Sequence, residues 1–176
     1  TVTIPKDDGS PRPISIAALA WRAGMGCIVG QLSSWIDEWA QECLTGGLPG
    51  RDARTTHELL HDCLSKAMED QDDLLGAKLD MEKCFDSIAP MQAIAVMAKL
   101  GAEKGLCDLL ADFYTDQTRW VEAAGCVATQ GIKPTRSLLQ GFPGSMMLLA
   151  GIMSLWVAHV TKESPGLKLS IYVDDR

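Results

Sequence analysis

The longest uncharged apolar run in the chain, "MMLLAGIMSLWVAHV" over residues 146–160, limits what the rest can be. Such a run has to leave water, and its backbone polar groups are then satisfied most simply within a helix. It is shorter than the roughly 20 residues of a bilayer span, so it is expected to be a buried helix around which the other elements gather, with no membrane partner. The chain can supply that cover. Its 176 residues are 47% hydrophobic and 22% charged, the balance of a globular domain or of a piece of a larger one rather than of a disordered segment. The opening "TVTIPKDDGSPRP" has no apolar core of the length a secretory signal needs.

Around the apolar run, turn chemistry and periodicity divide the chain. "IPKDDGSPRPISI" reads as two short extended pieces about a turn, because Asp8, Gly9 and Ser10 favour turns while Pro11 and Pro13 forbid a helix. Over residues 17–44, Ile28, Leu32, Trp35, Ile36, Trp39 and Cys43 recur at helical spacing and predict one long helix, frayed where Gly24, Gly26 and Gly30 weaken it. A loop, "TGGLPGRDAR", precedes a helix over 56–68 with Leu60, Cys63, Leu64 and Ala67 as its buried stripe. "LLGAKLDM" is a candidate strand. "APMQAIAVMAKLG" reads as a helix with Pro90 in its first turn and Gly101 as its stop. A further helix is expected over 104–116 and a hairpin in "RWVEAAGCVATQGIKPTRSLL", before the apolar helix and a final strand. Helices and strands mix without βα alternation, so the fold class is α+β.

Six evenly spread cysteines with no C-x-x-C pair fit neither a disulfide framework nor a zinc ribbon, and imply an intracellular protein. The net charge of −7 argues against an autonomous nucleic-acid binder, which carries a basic footprint.

"KLDMEKCFDSI" places Asp80 at the end of the candidate strand, and "IYVDD" places Asp174 and Asp175 at the end of the last. If the two strands are neighbours, three carboxylates meet. Such a set can hold two Mg²⁺ ions about 3.5–4 Å apart, an arrangement suited to nucleotidyl transfer. Each stretch alone is better read as a capped turn, for Asp80, or a solvated acidic loop, for the terminal pair.

Taken together, four blocks in order resemble the reverse transcriptases, particularly those of non-LTR retrotransposons. "IPKDDGSPRPISI" is similar to the fingers block, "KLDMEKCFDSI" to the L-D-x-x-K-A-F-D block, "SLLQGFPGSMMLL" to the Q-G block and "YVDD" to the Y-x-D-D block. "GGLPGRDARTTHEL" is similar to a loop-and-helix segment between the first two. The resemblance implies a right-hand polymerase with an antiparallel palm sheet packed on helices. Residues 1–75 would be fingers-like and 76–176 palm-like, with a further fingers part around 90–140. It implies RNA-templated DNA synthesis with an RNA template, a DNA primer, deoxynucleoside triphosphates and two Mg²⁺ ions, or Mn²⁺ in their place. The setting would be a nuclear or cytoplasmic ribonucleoprotein particle.

Carried over residue by residue, Asp80, Asp174 and Asp175 match the catalytic, metal-binding carboxylates, and the Met81 backbone carbonyl a further metal ligand. Phe85 matches the bulky side chain that lies under the nucleotide sugar and excludes a 2′-hydroxyl. Gln140 and Gly141 match the pair bordering nucleotide and template, and Lys6 and Arg12 the cations that meet the triphosphate. Cys84 stands in place of the usual alanine, Leu139 and Met146 where many relatives have proline, and Ser137 where a glycine is common. The resemblance stops just after "YVDD", so the thumb is expected to lie outside these residues. That offers a reason for the acidic balance, and this stretch by itself is expected to be inactive.

Two other readings compete. One is a degenerate, inactive polymerase segment. The other is a zinc peptidase, because "HELLH" at residues 57–61 matches H-E-x-x-H on an expected helix, with His57 and His61 as ligands. Against it, Thr55 and Glu58 form a capping-box pattern that accounts for the glutamate, and nothing singles out a third ligand.

Overall fold

The computed structural model describes residues 1–5, 11–123 and 125–173. Its centre is the expected apolar helix, here called α7 (Pro143–Glu163). Pro143 supplies a preset φ at the first position, and the helix extends beyond the uncharged run at both ends. At 21 residues it is long and apolar enough to cross a membrane, yet protein covers its inner face. Met147, Leu148, Leu149, Met153 and Val157 are all buried.

Three helices make that cover. The helix α1 (Leu19–Gln31) and α5 (Pro90–Lys99) pack on α7, and α6 (Lys104–Asp116) packs on α5. Met25 and Val29 come from α1, Ala93, Ile94 and Met97 from α5, and Leu110 and Tyr114 from α6. Full burial of each large apolar side chain contributes about 1.5–3 kcal/mol. The two serines buried on α7 are satisfied: Ser145 Oγ meets Tyr114 OH at 2.6 Å, and Ser154 Oγ donates to Trp39 O at 3.3 Å.

The helix expected over 17–44 is two. α1 runs through Gly24, Gly26 and Gly30 because its packed face outweighs their low propensity, and it ends at Leu32. There α2 (Ser33–Trp39) begins. Helices α5 and α6 match expectation, with Pro90 at the start of α5 and Gly101 (φ +91°) after its end.

The helix expected over 56–68 starts earlier, as α3 (Ala53–Asp70), and two expectations about it need correction. Its cap is Asp52, whose carboxylate accepts from the Arg54 and Thr55 amides at 2.9 and 3.3 Å, so no Thr55–Glu58 box forms. Its apolar stripe is not buried: Leu60 and Leu64 are exposed, while Cys63 and Ala67 are half-buried. Periodicity identifies the face that would pack, not whether a partner covers it.

The opening forms β1 (Val2–Pro5) and β2 (Pro11–Ile14), antiparallel with Val2 opposite Ile14. The expected hairpin appears as β3 (Glu122–Ala123) and β4 (Cys126–Val127), continued by a bridge between Arg119 and Ile132. A parallel contact between Val2 and Glu122 joins the two hairpins into one sheet ordered β2-β1-β3-β4. Residues 74–81 do not form the expected strand. No strand is formed there, and Leu74, Leu75 and Leu79 are exposed. A β-favouring pattern holds a strand only when a neighbour accepts its hydrogen bonds. The sheet that does form is therefore not built from the segment ahead of Asp80.

Candidate nucleotide-transfer site

Asp80 is exposed at the end of that extended segment. A turn follows, with Lys83 at φ +51°, and leads into the single-turn α4 (Cys84–Ser87). Cys84 is buried with its thiol 3.7 Å from the sulfur of the half-buried Met81. Phe85 packs against the edge of the core and keeps part of its surface exposed.

The Q-G segment lies directly on this block. The Leu138 amide donates to Phe85 O at 2.7 Å, and the Ser137 amide donates to Ile88 O at 2.9 Å. Leu138, Leu139 and Phe142 are buried, and Phe142 stacks on Phe113 with centroids 4.4 Å apart and planes 17° from parallel. Anchored on both sides, the loop leaves only Gln140, half-buried, and Gly141, exposed, at its rim. Gly141 has φ +76°, a conformation that favours glycine. The segment just ahead of the Gln140–Gly141 pair is thus joined to Phe85. The sequence reading missed what fastens them. Ser137 sits at φ +98°, where an L side chain is strained, and its Oγ donates to Asp86 Oδ1 at 2.9 Å. Arg119 donates to Ser137 through Nη1 to Oγ (3.0 Å) and Nη2 to the carbonyl (2.9 Å). Burial holds the Arg119 guanidinium below its ordinary value, opposed by Tyr114 and Asp86.

The segment leading to the terminal acids is seated on the loop after α2. Ile171 bridges Leu44 in parallel: its amide donates to Cys43 O at 2.7 Å, and its carbonyl accepts from the Thr45 amide at 2.8 Å and from Thr45 Oγ1 at 3.0 Å. Thr45 is fully buried, and its hydroxyl also bonds that of Thr56. Gly46 has to be glycine for this fit, since a Cβ there would lie 2.8 Å from both Tyr172 Cδ2 and Val173 N. The loop is braced by Arg51, which donates to Ala40 O, Gln41 O and Leu44 O at 2.9, 2.5 and 2.9 Å.

Asp174, Asp175 and Lys6 lie outside the described residues, and Arg12 is placed in β2 opposite Ile4. Among the described residues no group of three or more His, Cys, Asp or Glu side chains converges on a metal position. The proposed donor set of Asp80, Asp174, Asp175 and a backbone carbonyl consists of hard oxygen atoms, which suits Mg²⁺ rather than a thiolate-seeking ion. His57 and His61 lie exposed on α3, and Glu58 between them is held by Arg54 at 2.8 Å. No third ligand joins the two histidines among the described residues.

The Q-G segment is docked on the L-D-x-x-K-type block through the Leu138–Phe85 and Ser137–Ile88 hydrogen bonds. The family model for reverse transcriptase (RNA-dependent DNA polymerase) matches residues 4–176, and the chain belongs to this family. No curated protein matches the chain significantly. Members of the family direct DNA synthesis from an RNA template and nucleotide substrates, and in general use divalent metal ions.

Proposed function

We propose that this chain carries the nucleotide-transfer centre of a retrotransposon-type reverse transcriptase, in which a primer 3′-hydroxyl attacks the α-phosphate of a deoxynucleoside triphosphate. The family match across residues 4–176 carries the reading, and the Leu138–Phe85 hydrogen bond supports it by joining two of the blocks. Residues 1–75 serve as fingers and the blocks around Asp80 and Asp174 as palm. Asp80, Asp174, Asp175 and the Met81 carbonyl would hold two Mg²⁺ ions, whose charge would neutralise the phosphate and acidify the attacking hydroxyl. Lys6 and Arg12 meet the triphosphate as charge-assisted donors. Phe85 lies under the sugar and excludes a 2′-hydroxyl by bulk, while Gln140 and Gly141 border base and template.

Primer extension on an RNA template by the full-length protein tests the reading. Asp174→Asn keeps the size and removes the charge, so extension is expected to disappear while circular dichroism stays unchanged. Full activity in that variant would sink the assignment. Phe85→Ala is expected to admit ribonucleotides more readily; unchanged sugar discrimination would reduce Phe85 to a packing residue.

A further inference from the structure

We propose that Arg119, Ser137 and Asp86 form a positioning bridge that sets the spacing between Phe85 and the Gln140–Gly141 rim, and so tunes nucleotide affinity and sugar choice. This rests on the reading above for the roles of Phe85 and Gln140.

Three observations carry it. First, the bridge joins three separate segments: Arg119 lies at the foot of the β3–β4 hairpin, Ser137 three residues before Gln140, and Asp86 next to Phe85. Second, each connection is directional. Arg119 grips Ser137 with two nitrogens, at 3.0 and 2.9 Å, while its Nε donates to Gln117 Oε1 at 3.1 Å. Ser137 Oγ passes the link to Asp86 Oδ1 at 2.9 Å. A planar fork with both tines occupied fixes orientation as well as distance, which a lysine cannot do. Third, Ser137 holds φ +98°, a conformation glycine adopts freely. A strained residue whose side chain is spent on a part-buried link between a guanidinium and a carboxylate points to a use for that link.

The bridge touches no reacting atom. Its effect runs through two short main-chain bonds, Leu138 to Phe85 (2.7 Å) and Ser137 to Ile88 (2.9 Å), which transmit the position of Ser137 to the wall under the sugar. Losing the bridge frees the loop to shift relative to Phe85. That raises the nucleotide KM and lets in a 2′-hydroxyl, whereas a residue that only stabilised the fold would reduce the active fraction and leave KM and discrimination alone.

The test uses the full-length protein with steady-state primer extension on an RNA template, comparing dTTP with UTP, alongside thermal melting. Arg119→Met is expected to raise the dTTP KM about tenfold, with a smaller change in kcat, and to lower the dTTP-to-UTP preference by a similar factor. Arg119→Lys keeps the charge without the fork and is expected to rescue little. Ser137→Gly relieves the φ strain while deleting the hydroxyl link. It is expected to melt no lower than wild type and still to raise KM, which separates positioning from stability. If Phe85→Ala alters discrimination while Arg119→Met and Ser137→Gly leave KM and discrimination at wild-type values, the bridge is structural only and the inference fails alone. If Phe85→Ala changes nothing, or the protein extends no primer, the reading of the site fails and the inference with it.

Discussion

Gly46→Ala isolates the seat of the final segment. The added Cβ would stand 2.8 Å from Tyr172 Cδ2 and from the main-chain nitrogen of Val173. Favourable carbon contacts begin near 3.5 Å, so a gap of about 0.7 Å has to open. The Tyr172 ring can turn aside, but Val173 N is backbone, and Ile171 just before it is held by its bonds to Cys43 and Thr45. Overpacking of this kind costs about 1–3 kcal/mol. In a chain of this size that corresponds to a fall in melting temperature of roughly 2–10 °C. The displaced residues immediately precede the proposed metal carboxylates. A misplacement approaching 1 Å is expected to reduce kcat by about ten- to a hundredfold. Differential scanning fluorimetry and primer extension read the two effects. Gly24→Ala is the control: a Cβ there meets nothing within 4 Å, and a helical alanine stabilises by about 0.5–1 kcal/mol. A Gly46→Ala protein with wild-type melting and wild-type extension would refute the argument that the final segment sits on this loop.

Two further outcomes concern the body of the fold. Tyr114→Phe orphans the Ser145 hydroxyl and is expected to cost about 1–2 kcal/mol, with Tyr114→Phe/Ser145→Ala together costing less than the sum of the single changes, as a double-mutant cycle by denaturant unfolding would measure. Burial raises the Tyr114 pKa above its ordinary 10.0, so its contribution is complete below that pH and is lost as pH rises toward the folded value, because the unfolded chain deprotonates first; Tyr114→Phe should flatten that alkaline slope in melting curves taken across it. On α3, Leu64→Glu is expected to change stability by no more than about 0.5 kcal/mol, since Leu64 is exposed; a loss above 2 kcal/mol in the same assay would mean that the face is covered.

What the sequence disclosed follows from where the determining interaction lies. Helices α5 and α6 were legible because Pro90, Gly101 and their periodic apolar faces are local signals. The apolar run identified α7 because nothing but burial satisfies it. Residues 74–81 and the α3 stripe were misread for a shared reason: strand pairing and stripe burial depend on a partner elsewhere in the chain. Ordered motifs picked out the Phe85 block and the Q-G segment, which the structure joins through the Leu138–Phe85 hydrogen bond. They contained Asp86 and Arg51 without showing what these residues bond, and gave no sign of Arg119 or Thr45; each acts through a hydrogen bond that composition and spacing do not encode. Ser137 was the exception. Its departure from glycine was visible, and its φ of +98° explains why glycine is the easier residue there.

The bond from Thr45 to Ile171 spans 126 residues, and this bears on the order in which the protein becomes competent. Closing so long a loop in an unfolded chain costs about 4 kcal/mol in the logarithmic term alone, which a few hydrogen bonds scarcely offset. Once α1 has packed on α7 the effective loop shrinks to the segments between those helices and the bridge, and the same bonds suffice. The helical body therefore forms first and the Ile171 segment docks afterwards, onto a loop already braced by Arg51. In the finished protein the same docking can open locally, exposing the Thr45 and Ile171 amides to exchange while the helical core stays closed.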